Sequence, residues 1–146
     1  MNSLPAGRFA LSAVIVVVVL TACIGGGVFY KETLTGKFAF WALDGLADNS
    51  LVEESPDRKS CTVLVGPTVF AAGFDKRFII VARHPKTDTD IDRPQTEYFV
   101  ISIADGIAHG PTSFESFSEL RASLGVSQQL QFTKRIEQLA GNASTN

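Results

Sequence analysis

Two histidines, two cysteines and a run of alternating aspartates hold most of this chain's capacity for chemistry. His84 stands in Arg83-His84-Pro85. An imidazole there could act as general base for a nucleophile, Cys61 or a serine, with an aspartate to orient it. No nucleophile elbow or other supporting motif accompanies it, so His84 reads as a strand-end or loop residue. Cys61 lies in Ser60-Cys61-Thr62-Val63-Leu64-Val65, a strand-like run in which a cysteine behaves as a small buried hydrophobe. Only Lys59 stands close enough in sequence to favour its thiolate. Asp88-Thr89-Asp90-Ile91-Asp92 places three carboxylates at alternate positions, like the opening of a calcium loop. The sixth position of that pattern is Arg93, where the turn needs glycine, and the twelfth is Phe99, where a bidentate glutamate is needed. A mobile, solvated loop over 86–96 with no bound metal is the expectation. No Cys/His spacing suits zinc, and no glycine-rich loop joins a strand to a helix to cradle phosphate. No catalytic, cofactor-binding or metal-binding residue is therefore assigned, and no cofactor is expected.

Cys23 is different, because what precedes it gives it a role. Arg8 is the only charged residue before Lys31. It is followed by an apolar run, Phe9 to Leu20, and then by Leu20-Thr21-Ala22-Cys23. A positive start, an apolar stretch of this length and small residues at its end are the layout of a secretory signal. The four residues ending in Cys23 resemble those of bacterial lipoprotein precursors. That resemblance implies a lipid attached to the Cys23 thiol and cleavage between Ala22 and Cys23. It makes residues 1–22 a signal peptide and 23–29, with Gly25-Gly26-Gly27, a flexible tether. The competing reading is an uncleaved membrane-spanning helix over the uncharged residues 9–29. At 1.5 Å per residue these reach about 31 Å, enough for a bilayer core. Three glycines oppose it. Both readings put residues 30–146 outside the cytoplasm, with Arg8 inside.

Composition bounds the remainder. A chain of 146 residues, 45% hydrophobic, is long enough for one domain. Its formal charge of −2 provides no clustered positive charge for nucleic acid. Strand signals dominate residues 30–103. Lys37 to Leu43 is aromatic and bounded by glycines, and it contains Trp41, which reads as core. Leu51-Val52-Glu53-Glu54, with two glutamates, suits a sheet edge. Ser60–Val65 is a further strand. Thr68–Ala72 and Arg77–Arg83 flank Gly73-Phe74-Asp75-Lys76 as a hairpin. Residues 78–82 and 98–103 are apolar on both faces and should be central and covered. Thr112-Ser113-Phe114-Glu115 is a capping-box pattern with Thr112 at the cap. Phe114, Phe117, Leu120 and Leu124 then line one helical face, and Gly125 ends the helix. Residues 130–139 fit either a short strand or a second helix, and 141–146 a frayed tail. The expectation is an α+β domain over 30–140: an antiparallel sheet of five or six strands with one C-terminal helix packed on it.

This element order resembles a family of small, uncharacterised bacterial lipoproteins. The matching features are the Leu-Thr-Ala-Cys box, the early aromatic strand with Asp44, and the hairpin from Val69 to Val81. Arg83-His84-Pro85, Tyr98-Phe99-Val100-Ile101, and Gly110-Pro111 ahead of Phe114 and Phe117 complete them. The resemblance spans most of residues 20–126 and implies a bacterial envelope location, membrane-anchored, without implying an activity. Two functions follow from these readings. One is an envelope interaction or structural module, anchored by lipid or helix and binding a partner protein or other envelope component. The other is a small exported enzyme or ligand-binding protein using His84 and nearby loop residues.

Overall fold

In the computed structural model, residues 27–140 are described. The expected signal, Ala22, Cys23, most of the tether and the tail over 141–146 lie outside them. No helix among the described residues is long and apolar enough to cross a membrane.

The antiparallel α+β class holds, but among the described residues the strands number nine and form two sheets where the sequence suggested one. The first sheet runs β1 (Tyr30–Thr35), β2 (Phe38–Ala42), β3 (Ser50–Glu54) and β4 (Cys61–Val65) in chain order. The second has the order β8-β7-β6-β5-β9. It is built from β5 (Val69–Phe74), β6 (Phe78–Arg83), β7 (Glu97–Ser102), β8 (Ala108–Thr112) and β9 (Lys134–Arg135). All pairs are antiparallel. The 11-residue helix α1 (Phe114–Leu124) packs on β7, and a single turn, α2 (Glu137–Ala140), follows β9. Residues 130–139 thus hold both of the alternatives that periodicity left open.

Phe38, Phe40, Leu51 and Val65 of the first sheet and Phe70, Ile79, Ile80 and Ile101 of the second belong to one buried cluster. β6 and β7 are buried along almost their whole length, as their uninterrupted apolar runs require. β3 is not the edge strand expected from Glu53 and Glu54: it lies between β2 and β4. Its carboxylates are tolerated because cations meet them. Lys37 Nζ lies 2.5 Å from Glu53 Oε1, and Lys31 Nζ is paired with Glu54. Gly73 falls inside β5 rather than in the hairpin turn, which is closed instead by Asp75. Its Oδ1 accepts from the backbone N–H groups of Arg77 at 2.7 Å and Phe78 at 2.8 Å. A Cβ on Gly73 would stand 1.8 Å from the Gln131 carbonyl oxygen, so glycine is needed where residues 131–132 cross β5.

α1 starts one residue later than the capping-box pattern indicated. Ser113 is the N-cap, accepting from the Ser116 N–H at 3.4 Å. Gly125, at φ +70, ends the helix as expected. Its N–H donates to Ala122 O, and the Val126 N–H donates to Arg121 O. Buried Val126 folds the chain back over the helix end.

Candidate functional site

The residues singled out by sequence do not assemble into a site. His84 is fully buried. Its ring stacks on Phe70, with centroids 4.4 Å apart. Nδ1 lies 2.8 Å from Gln95 O and Nε2 lies 3.3 Å from Ala140 O. Each ring nitrogen lies against a backbone carbonyl, one in the loop before β7 and one at the end of α2, and a ring with a single N–H donates to one of them. The arrangement suits a strut, not a base. Cys61 is far along the first sheet on β4, and His109 pairs with Val100 from β8.

The loop over 86–96 is exposed at Asp88 and Asp90 and carries hydrogen bonds of its own and to neighbouring elements. The Thr87 hydroxyl donates to Asp90 O at 2.8 Å and accepts from the Asp90 N–H at 3.0 Å. Lys86 Nζ lies 2.6 Å from Asp48 Oδ1, and Arg93 Nη1 donates to Leu139 O at 2.9 Å. Both cations therefore face outward from the loop, to the 3-10 turn Leu46–Asp48 and to α2, instead of neutralising its aspartates. Among the described residues no cluster of three His, Cys, Asp or Glu side chains is placed to hold a metal.

Two concave surfaces stand out instead. The smaller, about 170 Å³, lies on the outer face of the first sheet between Trp41, Leu43, Val63 and Cys61, with Asp44 and Asp48 at its rim. Trp41 is buried there as expected, but on the face away from the main core. Its indole N–H donates to Glu54 Oε1 at 2.9 Å, and Lys31 Nζ sits 4.7 Å over its ring. Burial alone would raise the Glu54 carboxyl above its ordinary range. Hydrogen bonds from Lys31 and Trp41, with the charges of Lys31 and Arg58, outweigh it and hold the group below 4.5.

The larger surface, a groove of about 350 Å³, runs between α1 and residues 128–132. Its volume is at the lower end of those usual for small-molecule sites. Aromatic rings build it. Tyr98 of β7 stacks on Phe117 at 5.0 Å, and Phe132 closes against Phe117 at 6.2 Å. Phe114 leans on Tyr98 at 5.7 Å while remaining 55% exposed. Burial, with the nearby Glu115 charge, pushes the Tyr98 phenol up.

Arg121 is the buried cation of this groove, whose lining also includes Glu115, Ser118, Gln128 and Gln131, and it was missed in the sequence. It falls four residues after Phe117 and so shares the helix face that buries Phe117. Only 9% of the residue is exposed. Nη2 donates to Leu130 O at 2.9 Å and to Ser127 O, fixing the loop that forms the second wall. The guanidinium lies 5.5 Å over the Phe117 ring. Nε is buried without a hydrogen-bond partner, and among the described residues Arg121 joins no ion pair. Desolvation alone lowers the stability of its charged form. A donor left in this state costs about 1–3 kcal/mol, more when it is charged. The signal in the sequence was an arginine inside an apolar helical stripe, where a surface helix would place a hydrophobe.

No curated protein and no solved structure matches the chain. A family model matches residues 39–137, which covers β3 to β9 with α1 and both concave surfaces. By that match, the chain belongs to the family described as "Protein of unknown function (DUF3997)".

Proposed function

We propose that this chain is a lipid-tethered module of the bacterial cell envelope whose domain works by binding an envelope component, not by catalysis. The observation that carries the binding reading is the aromatic groove beside α1, with a buried cation in its wall and Phe114 exposed at its side. Concave sites lined mainly by apolar and aromatic side chains with a few convergent polar groups are the usual form of a ligand-binding site. The burial of His84 against two carbonyl oxygens supports the binding reading over one in which His84 acts as a base.

The tether reading rests on Leu20-Thr21-Ala22-Cys23 after the apolar run. In this proposal the Cys23 thiol carries the diacylglycerol, the chain is cut after Ala22, and β1 begins seven residues beyond Cys23. Two or more acyl chains give stable membrane attachment where a single one does not. Metabolic labelling with a fatty-acid analogue tests it. The wild-type chain should be labelled and shortened, and Cys23→Ala should be unlabelled and full length. An unlabelled wild-type chain that remains membrane-bound at full length would establish the spanning helix over residues 9–29 instead.

A further inference from the structure

Resting on that binding reading, we infer that the α1 groove takes a small apolar carboxylate, an aryl or alkyl acid whose body lies on Phe117 and Phe132 and whose carboxylate faces Arg121. Two independent features of the groove point to this ligand. The first is charge. Among the described residues, Arg121 is a nearly buried guanidinium whose hydrogen-bond partners are two neutral carbonyl oxygens, those of Ser127 and Leu130, and Nε has none. A buried cation without an anion is costly, and an incoming carboxylate supplies the missing partner through a charge-assisted hydrogen bond. Neutral or cationic ligands do not relieve it.

The second feature is shape. The rings of Phe117 and Phe132 lie at 23° to one another and 6.2 Å apart, with Tyr98 stacked behind Phe117. They form an apolar floor that suits a ring or short chain, and about 350 Å³ limits the ligand to a small molecule. The carboxylate of Glu115 also lines the groove, six residues before Arg121, or about 9 Å along the helix. It is held below its ordinary range by its own backbone N–H and by the Ser113 hydroxyl, so its charge is engaged at the start of α1. That fixes a polarity: the anionic end of the ligand points to the Arg121 end and its neutral end towards Glu115.

The test uses the wild-type chain with its N-terminal membrane anchor, as it is recovered from the membrane, in phospholipid nanodiscs, with empty discs as reference. The probes are 3-phenylpropionate and its uncharged counterpart 3-phenylpropanol, followed by saturation-transfer NMR and calorimetry. The acid should bind saturably and the alcohol about tenfold or more weakly, the loss expected for a charge-assisted contact. Ser118→Trp, on the exposed part of the wall, should abolish binding of the acid while leaving the melting temperature unchanged. Arg121→Gln keeps an N–H donor for the loop carbonyls and should erase the preference for acid over alcohol. Ser118→Trp keeps the proposal falsifiable if that variant fails to fold. Equal binding of both probes, lost in Ser118→Trp, would overturn the carboxylate assignment and leave the binding reading standing. Absence of binding by either probe would overturn both.

Discussion

Glu54 is a carboxylate with 1% of its side chain exposed, beneath Lys31 and beside the Trp41 indole. Its pKa in the folded chain lies below the ordinary 4.5, because the hydrogen bonds from Lys31 and Trp41 outweigh the cost of burial. A depressed carboxyl contributes stability that is fully present above its unfolded pKa and lost as pH falls through the folded one. The domain should therefore lose stability as pH drops below about 4.5. Glu32, hydrogen-bonded by Lys134 and Tyr30, adds to the same loss. In Glu54→Gln, thermal melts between pH 3 and 7 should show a lower melting temperature at neutral pH and a shallower acid slope. An unchanged slope would mean that Glu54 is not charged in the folded chain. Neither Glu54 nor Arg121 was legible as a buried charge in the sequence. Lys31 and Trp41, which hold Glu54, come from β1 and β2, and the carbonyls that hold Arg121 belong to the loop after α1, so the burial of both charges depends on how the folded chain packs these segments.

β6 is the strand on which the second sheet depends, because it pairs along its length with both β5 and β7. Ile80 is fully buried at its centre, opposite Val100 and Gly73. By strand alternation Val100 lies on the same face as Tyr98, so Ile80 faces the side covered by α1. Ile80→Asp would bury a carboxylate without a partner and should destabilise the domain by more than about 4 kcal/mol. Chemical denaturation measures this, and a midpoint near the wild-type value would contradict the central placement of β6. The sequence announced β6 and β7 through apolar runs too continuous for a strand with one wet face. It announced α1 through its spacing and its terminal glycine. β1 and β8 were illegible for the opposite reason. Tyr30-Lys31-Glu32-Thr33-Leu34-Thr35 is mostly polar, and Ala108-His109-Gly110-Pro111-Thr112 carries both residues that usually break strands. Both lie at sheet edges, where the backbone pairs on one side only and such residues are tolerated.

Division of the nine strands among the described residues between two sheets is a property of the assembled domain, and hydrophobic pattern alone could not reveal it. Inward-facing residues of either sheet look alike in sequence, so five or six strong strands read as one layer. Ion pairs help to fasten the layers together. Lys134 of β9 in the second sheet reaches Glu32 of β1 in the first at 2.6 Å. β9 itself is only two residues long, and it occupies the otherwise open side of β5 through Ala71↔Arg135 and Ala72↔Lys134. The N–H groups of Thr133 and Ile136 extend that pairing by donating to Ala72 O and Phe70 O. Val69-Phe70-Ala71-Ala72 is an uncharged, apolar stretch, and the strand that shields it brings two basic side chains to the border. β9 thus acts as a guard against self-assembly. A chain stopped after Thr133 would offer bare backbone donors and acceptors on β5 to any neighbouring copy. It should form thioflavin-positive fibrils at concentrations where the intact chain stays dispersed, with a lag that shortens as concentration rises. If the shortened chain unfolds yet gives no fibrils, solubility is governed elsewhere than at the edge of β5.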